Sequence, residues 1–325
     1  MLGRIGVFIT DSAFQRTLVY GIVGVGHQVD RSGFTEGTMA YVIKPCESGD
    51  AEYIWEKGFE VIPAEENAKE ELLVFKAVDV QGTIIGGCVL DIDETKTAEL
   101  ERLWVDERYR RRGIGSSLIR EAEQKAREKG CQMIVNAYTF DFQAARHFFE
   151  RRGYKLIGTV KDWPKGYESY TLIKRLNGSA ENLPAAPAFD PAVFEMKTGS
   201  EEDGEFIADR LEAYNCTFAP RSHGYYDLDK KVVDRADRMI AGCVAGVSGW
   251  DTLHIDAIWV DEPFRGQSVG SYLLGEIEQE AKAKGAYLSS TAGTDLQAAF
   301  FKQQGYTIGA VLVDSPRWYM MYKHL

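Results

Sequence analysis

The sequence predicts an α+β protein built from two copies of one domain, each a mixed, mostly antiparallel sheet flanked by helices. Three observations carry this. The segment LWVDERYRRRGIGSSLIREAEQKAREKG (Leu103 to Gly130) aligns without a gap on IWVDEPFRGQSVGSYLLGEIEQEAKAKG (Ile258 to Gly285), 155 residues further on (259 − 104 at the tryptophans). Gly87-Cys88-Val89 meets Gly242-Cys243-Val244 at the same offset, and Phe142 to Tyr154 meets Leu296 to Tyr306 after small gaps. A period this long exceeds the roughly 20–50 residues of a solenoid unit and is the size of a domain. A stretch rich in Pro, Ala and small polar residues, 177–189, reads as a linker between the copies. The domains are therefore expected at 39–176 and 190–325. Residues 1–38 have no counterpart, and their alternating stretches (Ile5 to Ile9, Phe14 to Val23) fit a pair of short strands.

Within copy one the elements follow in order. Ser48 to Lys57, with Glu52 following the serine, fits a capped helix start. Glu71 to Val80 and Ile84 to Ile92 read as strands joined by a turn at Gln81-Gly82, and Ala98 to Val105 as a third. From Gly113 to Lys129 the apolar period becomes helical: Ile114, Leu118, Ile119, Ala122 and Ala126 form one stripe, and Gly130 stands where a C-cap glycine belongs. Met133 to Ala137 is a strand, Phe142 to Arg151 a helix, and Tyr167 to Lys174 a final strand.

Composition narrows the function. Among 325 residues there are 38 basic against 49 acidic side chains, a net charge of −11, which argues against a nucleic-acid partner. Five cysteines without CxxC spacing read as free thiols in a reducing compartment, and no metal is expected. No apolar run reaches the roughly 18 residues of a membrane span, and Asp11, Gln15 and Arg16 break the first twenty residues as a secretory signal. The expectation is a cytoplasmic protein with no membrane partner; oligomeric state is not legible.

Arg110-Arg111-Arg112-Gly113-Ile114-Gly115 carries the chemistry. It follows a strand and a short polar connection, and it opens the long helix. A helix start offers four free backbone N–H groups and about half a positive charge. Glycines there let a backbone approach an anion, and arginines add charge-assisted donors. A phosphate or pyrophosphate ligand is the inference. Two imitations fall away. Gly266-Gln267-Ser268-Val269-Gly270 matches the GxSxG elbow of hydrolases but does not directly follow a strand, and only His324 comes after it. Gly21-Ile22-Val23-Gly24-Val25-Gly26 lacks a following helix.

The pattern Arg/Gln-x-x-Gly-x-Gly/Ala between a strand and a helix, with the later helix–Gly–Tyr endings at Gly153-Tyr154 and Gly305-Tyr306, resembles the coenzyme A loop of the GNAT superfamily of acyl-coenzyme A-dependent N-acyltransferases. The resemblance runs through both copies. It implies acetyl-coenzyme A as cosubstrate, held by Leu103, Trp104 and Val105 on the strand and by Arg110, Arg111, Arg112, Gly113, Ile114, Gly115 and Ser116 in the loop. Val260, Arg265 and Gly270 are the counterparts in copy two. It further implies acetyl transfer to a primary amine of a small molecule or peptide by direct attack, with a carboxylate as general base. Alternation places Glu99, Glu101, Leu103 and Val105 on one face and Leu100, Arg102 and Trp104 on the other. Glu99 occupies the position of the family's glutamate, and Glu101 is the alternative. The tyrosine that many members use to protonate the leaving thiolate is replaced by Phe149 and Phe301, with Tyr138 the only substitute in view. Copy two carries Ser268 at the position of Gly113 and His254 and Asp256 on its strand, so turnover is expected in copy one. The competing reading is a coenzyme A-binding sensor or scaffold without turnover.

Overall fold

The computed structural model describes residues 41–59, 71–92, 96–140, 145–177, 194–312 and 317–325. The strand pair expected within 1–38 and nearly all of the 177–189 linker lie outside them. Copy one supplies β1 (Val42–Pro45), α1 (Asp50–Phe59), β2 (Glu71–Val78), β3 (Ile84–Ile92), β4 (Thr97–Val105), α2 (Ile114–Glu128), β5 (Met133–Phe140), α3 (Ala145–Glu150), β6 (Lys155–Lys161) and β7 (Glu168–Arg175). Copy two supplies β8 (Glu195–Thr198), α4 (Glu201–Cys216), β9 (Tyr226–Asp227), β10 (Lys230–Val233), β11 (Met239–Ser248), β12 (Thr252–Val260), α5 (Val269–Ala283), β13 (Leu288–Gly293), α6 (Asp295–Gln303), β14 (Thr307–Leu312) and β15 (Trp318–His324). The sequence reading missed β6. Its expected turn at Gln81-Gly82 is present: the Asp79 carboxylate accepts from the N–H groups of Gln81 and Thr83, each at 2.9 Å, and Gly82 has φ +82°.

The chain forms two compact units, and these are not the two copies. Among the described residues, unit 1 holds those from Glu71 to Pro220; unit 2 holds those from Tyr41 to Phe59 and from Arg221 onward. Each copy thus gives its leading strand and helix to the sheet of the other. In unit 1 the strand order is β6-β7-β5-β4-β3-β2-β8, with β8 antiparallel to β2 from Phe75↔Thr198 to Val78↔Glu195. In unit 2 it is β1-β10-β11-β12-β13-β15-β14, with β9 beside β11 and β1 antiparallel to β10 from Val42↔Val233 to Pro45↔Lys230. In each sheet one pairing is parallel, β4 with β5 and β12 with β13. Periodicity in sequence finds the repeat; it does not say on which sheet a repeated element lands.

A glycine socket receives each exchanged helix. In unit 1 Ile207 of α4 is fully buried among Val74, Val89 and Trp104, and a Cβ on Gly87 would collide with it. In unit 2 Ile54 of α1 is fully buried among Val244, Ala257 and Trp259, and a Cβ on Gly242 would collide with it. Ion pairs flank both joints: Lys76–Asp203 at 2.6 Å in unit 1, and Lys231–Asp50 at 2.7 Å in unit 2. Asp203 also closes the capping box that starts α4 at Ser200. On the other face of each sheet lies the larger core, with α2 over β2 to β5 and α5 over β10 to β12.

Truncating a fully buried isoleucine costs about 2–5 kcal/mol, so Ile207→Ala should destabilise unit 1 by that amount. Hydrogen exchange should accelerate in β2 to β4 and leave β11 and β12 protected, with Ile54→Ala giving the reverse. Exchange rising in β11 and β12 with Ile207→Ala would contradict the interchange.

Candidate functional site

The site grows from a strand with one residue too many. Between Val89 and Leu90 the β3–β4 register shifts: Arg102 faces Val89 and Leu100 faces Leu90, leaving Glu101 as the extra residue of a bulge. The same shift between Val244 and Ala245 leaves Asp256 extra in β12. The bulge corrects the strict alternation expected for β4. Ala98 and Leu100 pack in the α2 core, and beyond the bulge Leu103 and Val105 return to it, while Trp104 turns to the α4 face. Glu99 therefore lies on the α4 side with Trp104, not on the side of Leu103 and Val105.

Past the bulge the sheet opens. The parallel β4·β5 ladder runs only from Thr97↔Met133 to Glu99↔Val135, although β4 continues to Val105. In unit 2 the ladder ends at Ile255↔Thr291 while β12 continues to Val260. A side chain closes each ladder: Asn136 Nδ2 donates to the Leu100 carbonyl at 3.1 Å, and Thr291 Oγ1 to the Ile255 carbonyl at 3.0 Å. The strand segment carrying Leu103, Trp104 and Val105 thus lies beyond its parallel partner, so its outward backbone is available to an extended ligand.

The connection from β4 to α2 repeats from β12 to α5. A short 3₁₀ turn, Glu107–Tyr109 or Glu262–Phe264, is capped by Asp106 or Asp261. Arg110 Nε then donates to the Val105 carbonyl at 3.0 Å, and Arg265 Nε to the Val260 carbonyl at 2.8 Å. These arginines, expected as coenzyme contacts, pin the loop to the strand it leaves; Arg110 also lies over the Tyr214 ring, 4.3 Å from its centroid. Two residues per loop adopt the left-handed conformation: Arg111 (φ +66°) and Gly113 (+85°) in one, Gly266 (+71°) and Ser268 (+64°) in the other. Each loop has one glycine for two such positions, and the glycine changes place. Ser268 thus adopts the strained backbone that its position demands.

No side chain caps the start of α2 or α5, whereas α4 and α6 both begin with capping boxes. The first intrahelical bonds are Ser117 N–H to the Gly113 carbonyl and Tyr272 N–H to the Ser268 carbonyl, each 2.9 Å. The preceding amides of both helix starts carry the positive end of the helix dipole. Arg111 and Arg112 are exposed beside them, Ile114 is buried in the core, and a Cβ on Gly115 would meet Phe148 and Val105. Gly270 stands likewise against Val260 and Phe300. Ser116 is buried and accepts from Arg152. Gln267, facing the same approach in unit 2, donates to the Pro263 carbonyl at 2.7 Å.

The acidic groups differ between the units. The Glu101 side chain is 2% exposed and is bonded to Arg102 Nη1 at 2.7 Å. Burial, with Asp91 adding to it, pushes its carboxyl up to about 7 despite that arginine. Asp91 and Glu99 are both buried and face each other across β3 and β4. In unit 2, burial pushes the Asp256 carboxyl well above the usual carboxylate range, with Asp229 and Asp227 contributing, and pushes His254 down to about 3. Ser290 Oγ lies 2.7 Å from His254 Nδ1. Phe149 and Phe301, where the family's tyrosine was sought, are buried in the cores; the Tyr138 side chain lies outside the described residues.

The acetyltransferase (GNAT) family model matches the chain twice, at residues 41–154 and 191–306. The chain belongs to the acetyltransferase (GNAT) family. Blasticidin-S acetyltransferase of Streptomyces morookaense is 36% identical over 115 residues, covering 35% of this chain and 82% of that enzyme. An uncharacterized N-acetyltransferase of Chlorobaculum tepidum is 35% identical over 92 residues, 28% of this chain and 56% of that protein. A crystal structure of an acetyltransferase from Bacillus cereus is 32% identical and covers 41% of this chain and 95% of its own, with a TM-score of 0.38. All five cysteines are free thiols. Among the described residues no helix is long and apolar enough to cross a membrane, and no group of three or more His, Cys, Asp or Glu is placed to hold a metal.

Sequence reasoning missed the bulges, the two ladder-closing side chains, Asp91 and Arg152. Only the last had a signal in sequence, since Arg152 aligns with Gln304 just before the matching Gly-Tyr pair. A left-handed non-glycine residue costs roughly 1–2 kcal/mol, so Ser268→Gly should stabilise unit 2 by about 1 kcal/mol in urea denaturation. Gly113→Ala should destabilise unit 1 by a similar amount. A destabilised Ser268→Gly variant would contradict the strain.

Proposed function

We propose that this protein is an acetyl-coenzyme A-dependent N-acetyltransferase that acetylates a primary amine of a small molecule, with turnover in unit 1. The observation that carries the reading is Glu101: a bulged, buried carboxylate pushed up to about 7, at the point where β4 leaves β5. An aliphatic amine with a solution pKa near 10.4 is mostly protonated at neutral pH and cannot attack a thioester. A base poised near pH 7 is suited to removing that proton. Arg102 holds the Glu101 carboxylate, and burial, with Asp91 adding to it, keeps its proton affinity high. Glu99, first choice on family position, is assigned to cation attraction with Asp91. Coenzyme A would lie with its pyrophosphate on the uncapped amides from Gly113 to Ser116 and its pantetheine arm along β4 from Leu103 to Val105, where a backbone N–H would polarise the thioester carbonyl. The likeness to blasticidin-S acetyltransferase supports a small acceptor over a peptide.

Unit 2 has an uncapped helix start, but burial, with Asp229 and Asp227, drives the carboxyl in the matching place, Asp256, well above the usual carboxylate range, and burial makes His254 a weak base by pushing it down to about 3. It is assigned weaker coenzyme binding without turnover.

Wild-type rate should climb with pH and level off above about 7. Glu101→Gln should lower kcat by roughly 10²–10⁴-fold at pH 7 and by less at pH 10, where free amine is abundant. An unchanged profile would remove Glu101 as base. Burial raises the folded-state pKa above the unfolded 4.5, so this group's stabilising contribution is complete below about pH 4.5 and is lost as pH rises through about 7. The stability of Glu101→Gln relative to wild type should therefore increase across that window. Thiol release should be lost with Gly113→Val and kept with Gly270→Val; the opposite pattern would move turnover to unit 2.

A further inference from the structure

Arg152 follows α3 and reaches α2. Its Nη1 donates to the Phe148 carbonyl at 2.7 Å and its Nη2 to Ser116 Oγ, the third residue of α2, while its guanidinium carbon lies 3.5 Å from the Phe148 ring centroid. The Phe148 ring in turn stands where a Cβ on Gly115 would meet it. The guanidinium is thus locked in place beside the first turn of the helix that carries the uncapped amides.

The charge is not neutralised. Among the described residues Arg152 has no carboxylate partner; its partners are a carbonyl, a hydroxyl and an aromatic face, and its buried Nε makes no hydrogen bond. Glu123, the carboxylate that acts on it most, is committed to Lys174 at 2.7 Å and to Arg127 at 3.5 Å. Burial, with repulsion from Arg151 and Arg120, holds its pKa below the usual arginine value. A half-buried cation among like charges is unfavourable in the free protein and becomes favourable when an anion arrives. The loop's own arginines are spent or exposed: Arg110 is tied to Val105 and Tyr214, and Arg111 and Arg112 stand in solvent. Unit 2 has Gln304 in place of Arg152, four residues after Phe300 as Arg152 is after Phe148.

We propose that Arg152 is a coenzyme-binding residue of unit 1, donating a charge-assisted contact to a phosphate of coenzyme A at the start of α2, and that Gln304 leaves unit 2 without it. The proposal rests on the coenzyme reading of the α2 start. Arg152 fixes which unit binds the coenzyme tightly, through a side chain outside the glycine loop.

The test is calorimetry of the full chain carrying Gly270→Val, with coenzyme A and with dephospho-coenzyme A, across a salt series. Arg152→Gln should weaken coenzyme A binding about tenfold and flatten the salt dependence, while Arg152→Lys keeps most of both. A penalty that disappears with dephospho-coenzyme A assigns the contact to the 3′-phosphate; one that persists assigns it to the pyrophosphate. Affinity and salt dependence unchanged in Arg152→Gln, with binding lost in Gly113→Val, would overturn the role of Arg152 alone. Binding kept in Gly113→Val as well would overturn the coenzyme reading. The unaltered protein gives an independent measure: coenzyme A should shield Arg152 from phenylglyoxal, read by mass spectrometry, and equal modification with and without it would also overturn the proposal.

Discussion

One extra residue in a central strand organises the site. Inserting Glu101 into β4 without a partner in β3 does three things at once. It shifts the phase of the strand, so that apolar residues on both sides of it serve the same core. It brings the parallel ladder with β5 to an end, which opens the edge of the strand carrying Val105. It directs an ionisable side chain into a poorly solvated place, where proton affinity rises. The recurrence at Asp256 shows that this is a property of the domain and not a local accident. The chemistry then depends on what occupies the bulge: burial lifts a glutamate held by an arginine to about 7, while burial beside other aspartates drives an aspartate well above the usual carboxylate range.

The connection after the strand shows the same economy. Two left-handed positions are needed to turn from strand to helix, and each unit supplies one glycine and accepts one strained residue. The guanidinium that ties the loop back to the strand is conserved between the units at Arg110 and Arg265. Geometry is therefore preserved twice, and charge only once. Duplication has kept the backbone shape while the groups that would hold an anion or move a proton have diverged.

Much of this was legible in the sequence. The 155-residue repeat, the loop and the helix stripe announced the domain and its family, and the difference between Gly113 and Ser268 correctly marked a demanding backbone position. The bulge was not legible, because AELERLWV alternates well enough to pass for a regular strand; only the partner strand reveals the extra residue. The interchange of leading elements was hidden for another reason. Gly87 and Gly242 are matching sockets, and Ile54 and Ile207 are matching plugs, so own and exchanged pairings look equally complementary. Arg152 was not singled out, since a run of charges at the end of a helix carries no sign of what each one faces.

The interchange also has a consequence for the order in which the molecule can be made. Lys230, where β10 begins, is translated 188 residues after Val42 (230 − 42), about 10–40 s later at ordinary rates of synthesis. Through that interval β1 lacks its partner β10, and Ile54 lacks its socket at Gly242. Unit 1, whose last element ends at Cys216, has been translated before any of β9 to β15 of unit 2. The pieces of the second-begun unit are thus all translated first, and the opening segment of the other waits for its partners until β10 and β11 have been made.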